Sequence, residues 1–114
     1  MAQVTIYHNP RCSKSRETLK LIEDKGIAPV IVDYLKTPPS AVELTRILAL
    51  LGKGPRDILR KKEATEAGLD PAALSDAQLI DAMVANPAVI ERPIVVAGDK
   101  AALGRPPESV LEIL

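Results

Sequence analysis

Val4-Thr5-Ile6-Tyr7-His8-Asn9-Pro10-Arg11-Cys12-Ser13 leads a short strand into a helix, and the reading of the fold starts from it. Over residues 3–7, Val4 and Ile6 alternate with Thr5 and Tyr7, the two-residue period of a strand, and Asn9-Pro10 ends the pattern. Ser13 to Lys25 then reads as a helix. Leu19 and Ile22 mark its buried face, Ser15 and Thr18 lie beside them, and Gly26 supplies the stop. Pro29 to Tyr34 contains Val30-Ile31-Val32, a continuous β-branched run that predicts a buried strand. Two such strands joined by a helix predict a right-handed βαβ unit.

Working outward, Thr37-Pro38-Pro39 is a break. Ser40 with Glu43 forms a capping-box pattern, and Leu44, Ile47, Leu48 and Leu51 follow at helical spacing until Gly52 to Gly54. Arg56 to Arg60 reads as a short helix, and the polar stretch to Leu74 as loop. Ser75 with Gln78 repeats the capping box ahead of Leu79, Ile80, Met83 and Val84, a face that ends near Pro87. Pro93 opens a third β-branched run, Ile94-Val95-Val96. Gly98-Asp99 is a tight turn into a strand at Lys100 to Leu103. After Gly104-Arg105-Pro106-Pro107, residues Glu108 to Leu114 read as a final helix. The expected class is therefore α/β, a thioredoxin-like fold with a helical insertion between its βαβ and ββα halves. Residues 1–114 are expected to form a single domain.

Composition narrows the function. The chain has 114 residues, 46% hydrophobic and only 2% aromatic, so aliphatic side chains must build the core. Fifteen basic and fifteen acidic residues cancel, which removes the electrostatic reason to expect a nucleic-acid or membrane-surface partner. No apolar run approaches the ~18 residues of a membrane span. Met1-Ala2-Gln3-Val4-Thr5-Ile6-Tyr7 lacks the basic and apolar regions of a leader peptide. One cysteine forms no internal disulfide, so a free thiol in the cytoplasm is expected. Neutral charge and a compact fold permit a monomer, and no metal site or bound cofactor is expected.

A lone cysteine is ordinarily a buried, inert side chain. Cys12, however, follows a strand and stands at a helix start, where unsatisfied N–H groups and a partial positive charge stabilise a thiolate and bind anions. Arg11, Lys14 and Arg16 add positive charge, and His8 lies four residues upstream. Ser15 occupies the second position of a would-be Cys-x-x-Cys, which excludes an internal dithiol cycle. Thr18 stands where the Cys-x5-Arg loop of thiol phosphatases would place its arginine. Redox catalysis by Cys12 therefore needs an external thiol.

His8-Asn9-Pro10-Arg11-Cys12-Ser13-Lys14-Ser15-Arg16 resembles the signature loop of the ArsC family, the glutaredoxin-coupled arsenate reductases. Tyr34-Leu35-Lys36-Thr37-Pro38-Pro39, Glu91-Arg92-Pro93-Ile94-Val95-Val96 and Gly104-Arg105-Pro106-Pro107 resemble further segments of that family, in particular its short, YfgD-type branch. The resemblance implies a thioredoxin-like fold and an enzyme of arsenic detoxification. In its cycle the Cys12 thiolate attacks arsenate, glutathione attacks the covalent thio-arsenate adduct, and glutaredoxin resolves the mixed state to release arsenite. It also implies that Arg60, Arg92 and Arg105 bind the oxyanion and that His8 tunes the nucleophile. Ser15 is expected as a helix residue or a hydroxyl donor to substrate. Pro93 is expected to be cis, although most X-Pro bonds are trans. The physics suits this set, because guanidinium forks fit tetrahedral oxyanions and hold their charge at neutral pH. Two other readings compete: a glutathione-linked thiol oxidoreductase acting on mixed disulfides, which would not need the arginines, and a polymerase-binding regulator resembling Spx, which commonly carries the second cysteine that Ser15 replaces.

Overall fold

The computed structural model describes residues 3–114. Met1 and Ala2, where the reading of a missing leader begins, lie outside the described residues. Contacts within the chain define two compact units, one running to Thr37 and resuming over Arg92–Leu114, the other comprising Pro38–Glu91.

The first unit is an α/β, thioredoxin-like arrangement. Its strands are β1 (Val4–His8), β2 (Val30–Asp33), β3 (Ile94–Ala97) and β4 (Lys100–Leu103), in the order β2-β1-β3-β4. β1 pairs parallel with β2 and antiparallel with β3, and β3 pairs antiparallel with β4. The two halves thus share one sheet. Alternation along β1 sends Val4 and Ile6 into the core, where they join Ile22 of α1 (Ser13–Asp24), Val95, Ala97 and Val110. Burying each large aliphatic side chain contributes on the order of 2 kcal/mol. Gly98 carries the β3–β4 turn at φ 62°, left-handed geometry that a Cβ would oppose.

Position in the sheet overturns one expectation. Val30 and Ile31 are 43% and 50% exposed, so the β2 run is not a buried strand. β2 is an edge strand, and a continuous β-branched run does not reveal which strand the chain will leave at the edge. The C-terminal segment is also a 3-10 helix over Pro107–Ile113 rather than an α-helix. Arg92–Pro93 is cis, the isomer implied by the family resemblance. Arg105–Pro106 is cis as well, which no reading of the residues anticipated.

The second unit is the helical insertion. α2 (Ala41–Leu51) and α4 (Asp76–Ala85) start with complete capping boxes, Ser40 with Glu43 and Ser75 with Gln78. They pack against each other, burying Leu44, Ile47, Leu48, Leu79 and Met83. Residues expected as loop contain α3 (Lys61–Glu66) and a 3-10 turn at Pro71–Ala73. Only Ala64 of α3 is buried, so its Lys-Lys-Glu-Ala-Thr-Glu sequence lacks the apolar period that would betray a helix. A two-residue bridge joins Leu59 to Ile90. The Arg60 N–H donates to the Val89 carbonyl at 2.7 Å and the Glu91 N–H to the Ile58 carbonyl at 2.7 Å.

Candidate active site

Cys12 caps α1 from an extended conformation, φ −90° and ψ 123°. The loop before it is tied down locally. The Cys12 N–H donates to the Asn9 carbonyl at 3.0 Å, and the Arg11 N–H donates to Asn9 Oδ1 at 3.0 Å. Arg16 Nη1 reaches back to the Pro10 carbonyl at 2.9 Å. Partial burial works against ionisation of the Cys12 thiol. The Ser15 main-chain N–H, the Arg92 side chain as a donor, the Lys14 main-chain N–H and the charge on Arg92 outweigh it. The thiol therefore titrates below its ordinary range, and the thiolate, the nucleophilic form, is favoured.

Arg105 completes this environment. Its Nη2 lies 3.6 Å from Cys12 Sγ, and its Nε donates to the Arg92 carbonyl at 2.7 Å. The second contact anchors the guanidinium at the β3 entry, where Arg92 precedes Pro93. Gly104 sets the approach. Its N–H donates to the Pro93 carbonyl at 2.9 Å. A Cβ there would stand 2.7 Å from Pro93 Cγ and would collide with Thr18 Oγ1. Thr18 is fully buried, and its Oγ1 donates to the Lys14 carbonyl at 2.7 Å. Two arginines thus converge on one sulfur, an arrangement able to offset the repulsion between a thiolate and an incoming anion.

His8 ends β1 beneath the loop and is 7% exposed. Its Nδ1 is 2.6 Å from Ser15 Oγ, and the same oxygen accepts the Asn9 N–H at 3.0 Å. Ser15 is therefore a buried bridge between His8 and the loop, a role distinct from the substrate donor weighed for it. Burial lowers the His8 pKa, Asp33 opposes that effect, and Arg16 adds to it, leaving the imidazole below its ordinary value.

Arg60 belongs to the second unit. Its Nη1 donates to Glu91 Oε1 at 2.7 Å, and its Nε lies 3.2 Å from Glu63 Oε2. Burial works against its charge, and these two carboxylates more than compensate. The structure thus gathers Cys12, His8, Ser15, Arg92, Arg105 and cis-Pro93 within the first unit and engages Arg60 with acids in the second. The sequence reading missed Asn9, Thr18 and Gly104 as shapers of the site, and Glu63 and Glu91 as partners of Arg60. Asn-Pro and Gly-Arg-Pro-Pro were visible as breaks, but the contacts made across 93 positions of chain were not. Among the described residues, no group of three or more His, Cys, Asp or Glu could hold a metal ion. Nor is any helix among them long and apolar enough to cross a membrane.

The family model of the ArsC family matches residues 7–113. The chain is 54% identical over 115 residues to the uncharacterized protein YfgD of Escherichia coli K12, covering 98% of this chain and 97% of that protein. It is 53% identical over 114 residues to an arsenate reductase of Haemophilus influenzae, covering 97% and 98%. Among solved structures, an arsenate reductase from Vibrio cholerae matches with a TM-score of 0.93 at 52% identity, covering 99% of this chain and 98% of that one.

Proposed function

This chain belongs to the ArsC family, and from that premise we propose that it reduces arsenate to arsenite with Cys12 as nucleophile. The observation that carries the reading is Arg105 Nη2 at 3.6 Å from Cys12 Sγ, beside a thiol that Arg92 already pushes toward its thiolate. A disulfide substrate would need no such concentration of positive charge, whereas a tetrahedral oxyanion would. The names of the similar Haemophilus and Vibrio proteins point the same way.

In the proposed cycle the Cys12 sulfur bonds to arsenic, and an arsenate oxygen leaves as water. Arg92 and Arg105 hold the remaining oxygens. Glutathione sulfur then bonds to the same arsenic with loss of a second oxygen as water. A glutaredoxin thiolate attacks that glutathione sulfur, and the S–As electron pair stays on arsenic. As(V) thereby becomes As(III), and glutathione departs as a mixed disulfide with glutaredoxin. Hydrolysis of the remaining Cys12–arsenic bond releases arsenite and restores the thiol. Two thiols are oxidised for one arsenic reduced. Reliance on reduced glutathione assigns this work to a reducing compartment, the cytoplasm.

Purified, reduced protein with glutathione, glutaredoxin, glutathione reductase and NADPH tests the reading. Arsenate-dependent NADPH oxidation is expected, and its absence with Cys12 intact overturns it. Arg92→Ala should cut that activity by about 10²–10³-fold, whereas a glutathione-linked oxidoreductase acting on mixed disulfides would be largely spared by the same substitution.

A further inference from the structure

Leu35 and Lys36 belong to one of the segments that carry the family resemblance, yet the chemistry at Cys12 makes no use of them. With Asn9, Pro10, Arg11 and Asp33 they line a cleft of about 400 Å³. The cleft lies at the carboxyl ends of the parallel strands β1 and β2, where His8 and Asp33 stand opposite each other. Ligands of open α/β sheets characteristically bind at that end. One part of its lining, Asn9-Pro10-Arg11, leads directly into Cys12.

Asp33 acts on His8 through its field, but the charges lining this cleft are not held in ion pairs. Arg11 and Lys36 form no ion pair with any described residue. Asp33 forms none either, and its Oδ1 only accepts the Leu35 N–H at 3.3 Å. Leu35 is 41% exposed and offers an apolar surface among these groups. A ligand matching this pattern carries two negative groups, one positive group and a short apolar stem.

We propose that this cleft is the docking site for glutathione, the tripeptide thiol with two carboxylates and one ammonium. Arg11 and Lys36 take the carboxylates, and Asp33 takes the ammonium. The inference rests on the arsenate-reductase reading above, because Ser15 leaves Cys12 without an internal resolving thiol and the second sulfur must come from outside. The cleft supplies a place on the loop that leads into Cys12 for that thiol to wait.

NMR titration of the unreactive Cys12→Ser protein with S-methylglutathione tests the site without turnover. Shifts centred on Asn9, Arg11, Asp33, Leu35 and Lys36 are expected, and Lys36→Ala in the same background should weaken binding about tenfold. Shifts confined to other regions, or equal affinity in the Lys36→Ala protein, overturn the proposal. In the coupled assay, glutathione monoethyl ester lacks one carboxylate and should show a KM several-fold above that of glutathione on the unmodified chain. Equal KM values also overturn it, and this measurement needs no altered protein. The two readings fail separately. S-methylglutathione bound in the cleft of a protein with no arsenate turnover ends the arsenate reading and supports the binding site. Arsenate turnover with an unperturbed cleft ends the binding-site proposal alone.

Discussion

Arg105 and Arg60 carry the same guanidinium into different surroundings. Arg105, in the sheet unit, donates to a neutral main-chain carbonyl and to the Cys12 sulfur. Arg60, in the helical unit, is engaged by Glu91 and Glu63. A carbonyl anchors a cation and leaves its net charge intact. Two carboxylates anchor it and reverse the sign of the neighbourhood. A matched arginine in a family motif is therefore not yet an anion ligand. Its partners decide how much positive field remains for a substrate.

Arg105→Ala bears most heavily on this comparison. It should lower kcat/KM for arsenate by about 10²–10³-fold, the usual cost of removing one preorganised donor to developing charge. Arg92→Ala should do the same and also shift Cys12 alkylation toward higher pH. Gly104→Ala sharpens the picture without touching a charge. Its new methyl presses on Thr18 and Pro93, so kcat/KM should fall by roughly tenfold, and stability by about 1–3 kcal/mol in a urea titration, the usual range for overpacking. Adding Thr18→Ala should return part of the activity, because two of the three crowding atoms belong to Thr18.

Arg60→Ala is expected to act mainly on stability. Glu91 and Glu63 would lose the Arg60 guanidinium while three-quarters buried, at a cost of about 1–3 kcal/mol, with only a few-fold change in kcat/KM. A loss of kcat/KM as large as that in Arg105→Ala, with an unchanged urea midpoint, would break the contrast. The smallest effect is in pH. The folded Cys12 thiol is depressed relative to the unfolded chain. Its contribution to stability is thus fully present above the ordinary thiol value of about 8.5 and is lost as pH falls through the folded value. Urea titrations of reduced protein against Cys12→Ser across this range should show the difference growing with pH. A flat difference would deny the thiolate its stabilising partners.

Much of the fold was legible because it depends on short-range pattern. β1, α1 and both capping boxes are written in neighbouring residues, and the structure repeats them within a residue or two. α3 was illegible because its one buried residue, Ala64, generates no period. The exposure of β2 was illegible for a different reason. Val30 and Ile31 suit an interior strand and an edge strand equally well, and only the sheet order separates the two. At the site, His8, Cys12 and Ser15 lie within eight residues and were found together. The Gly104–Thr18 approach and the Glu91–Arg60 pair join distant positions and could not be seen.

The sequence by itself determined that Cys12 is the nucleophile candidate. A single thiol at a strand-to-helix junction has a local field supplied by backbone and near neighbours, and a chain with one cysteine has no internal dithiol cycle. Only the tertiary structure decided which arginines reach that thiol. Arg105 is delivered to Cys12 by the pairing of β1 with β3 and of β3 with β4, and by a glycine small enough to pass Thr18. Arg60 is turned onto carboxylates by a bridge between Leu59 and Ile90. Residue type sets the charge an arginine can carry, but long-range pairing sets which atoms receive it.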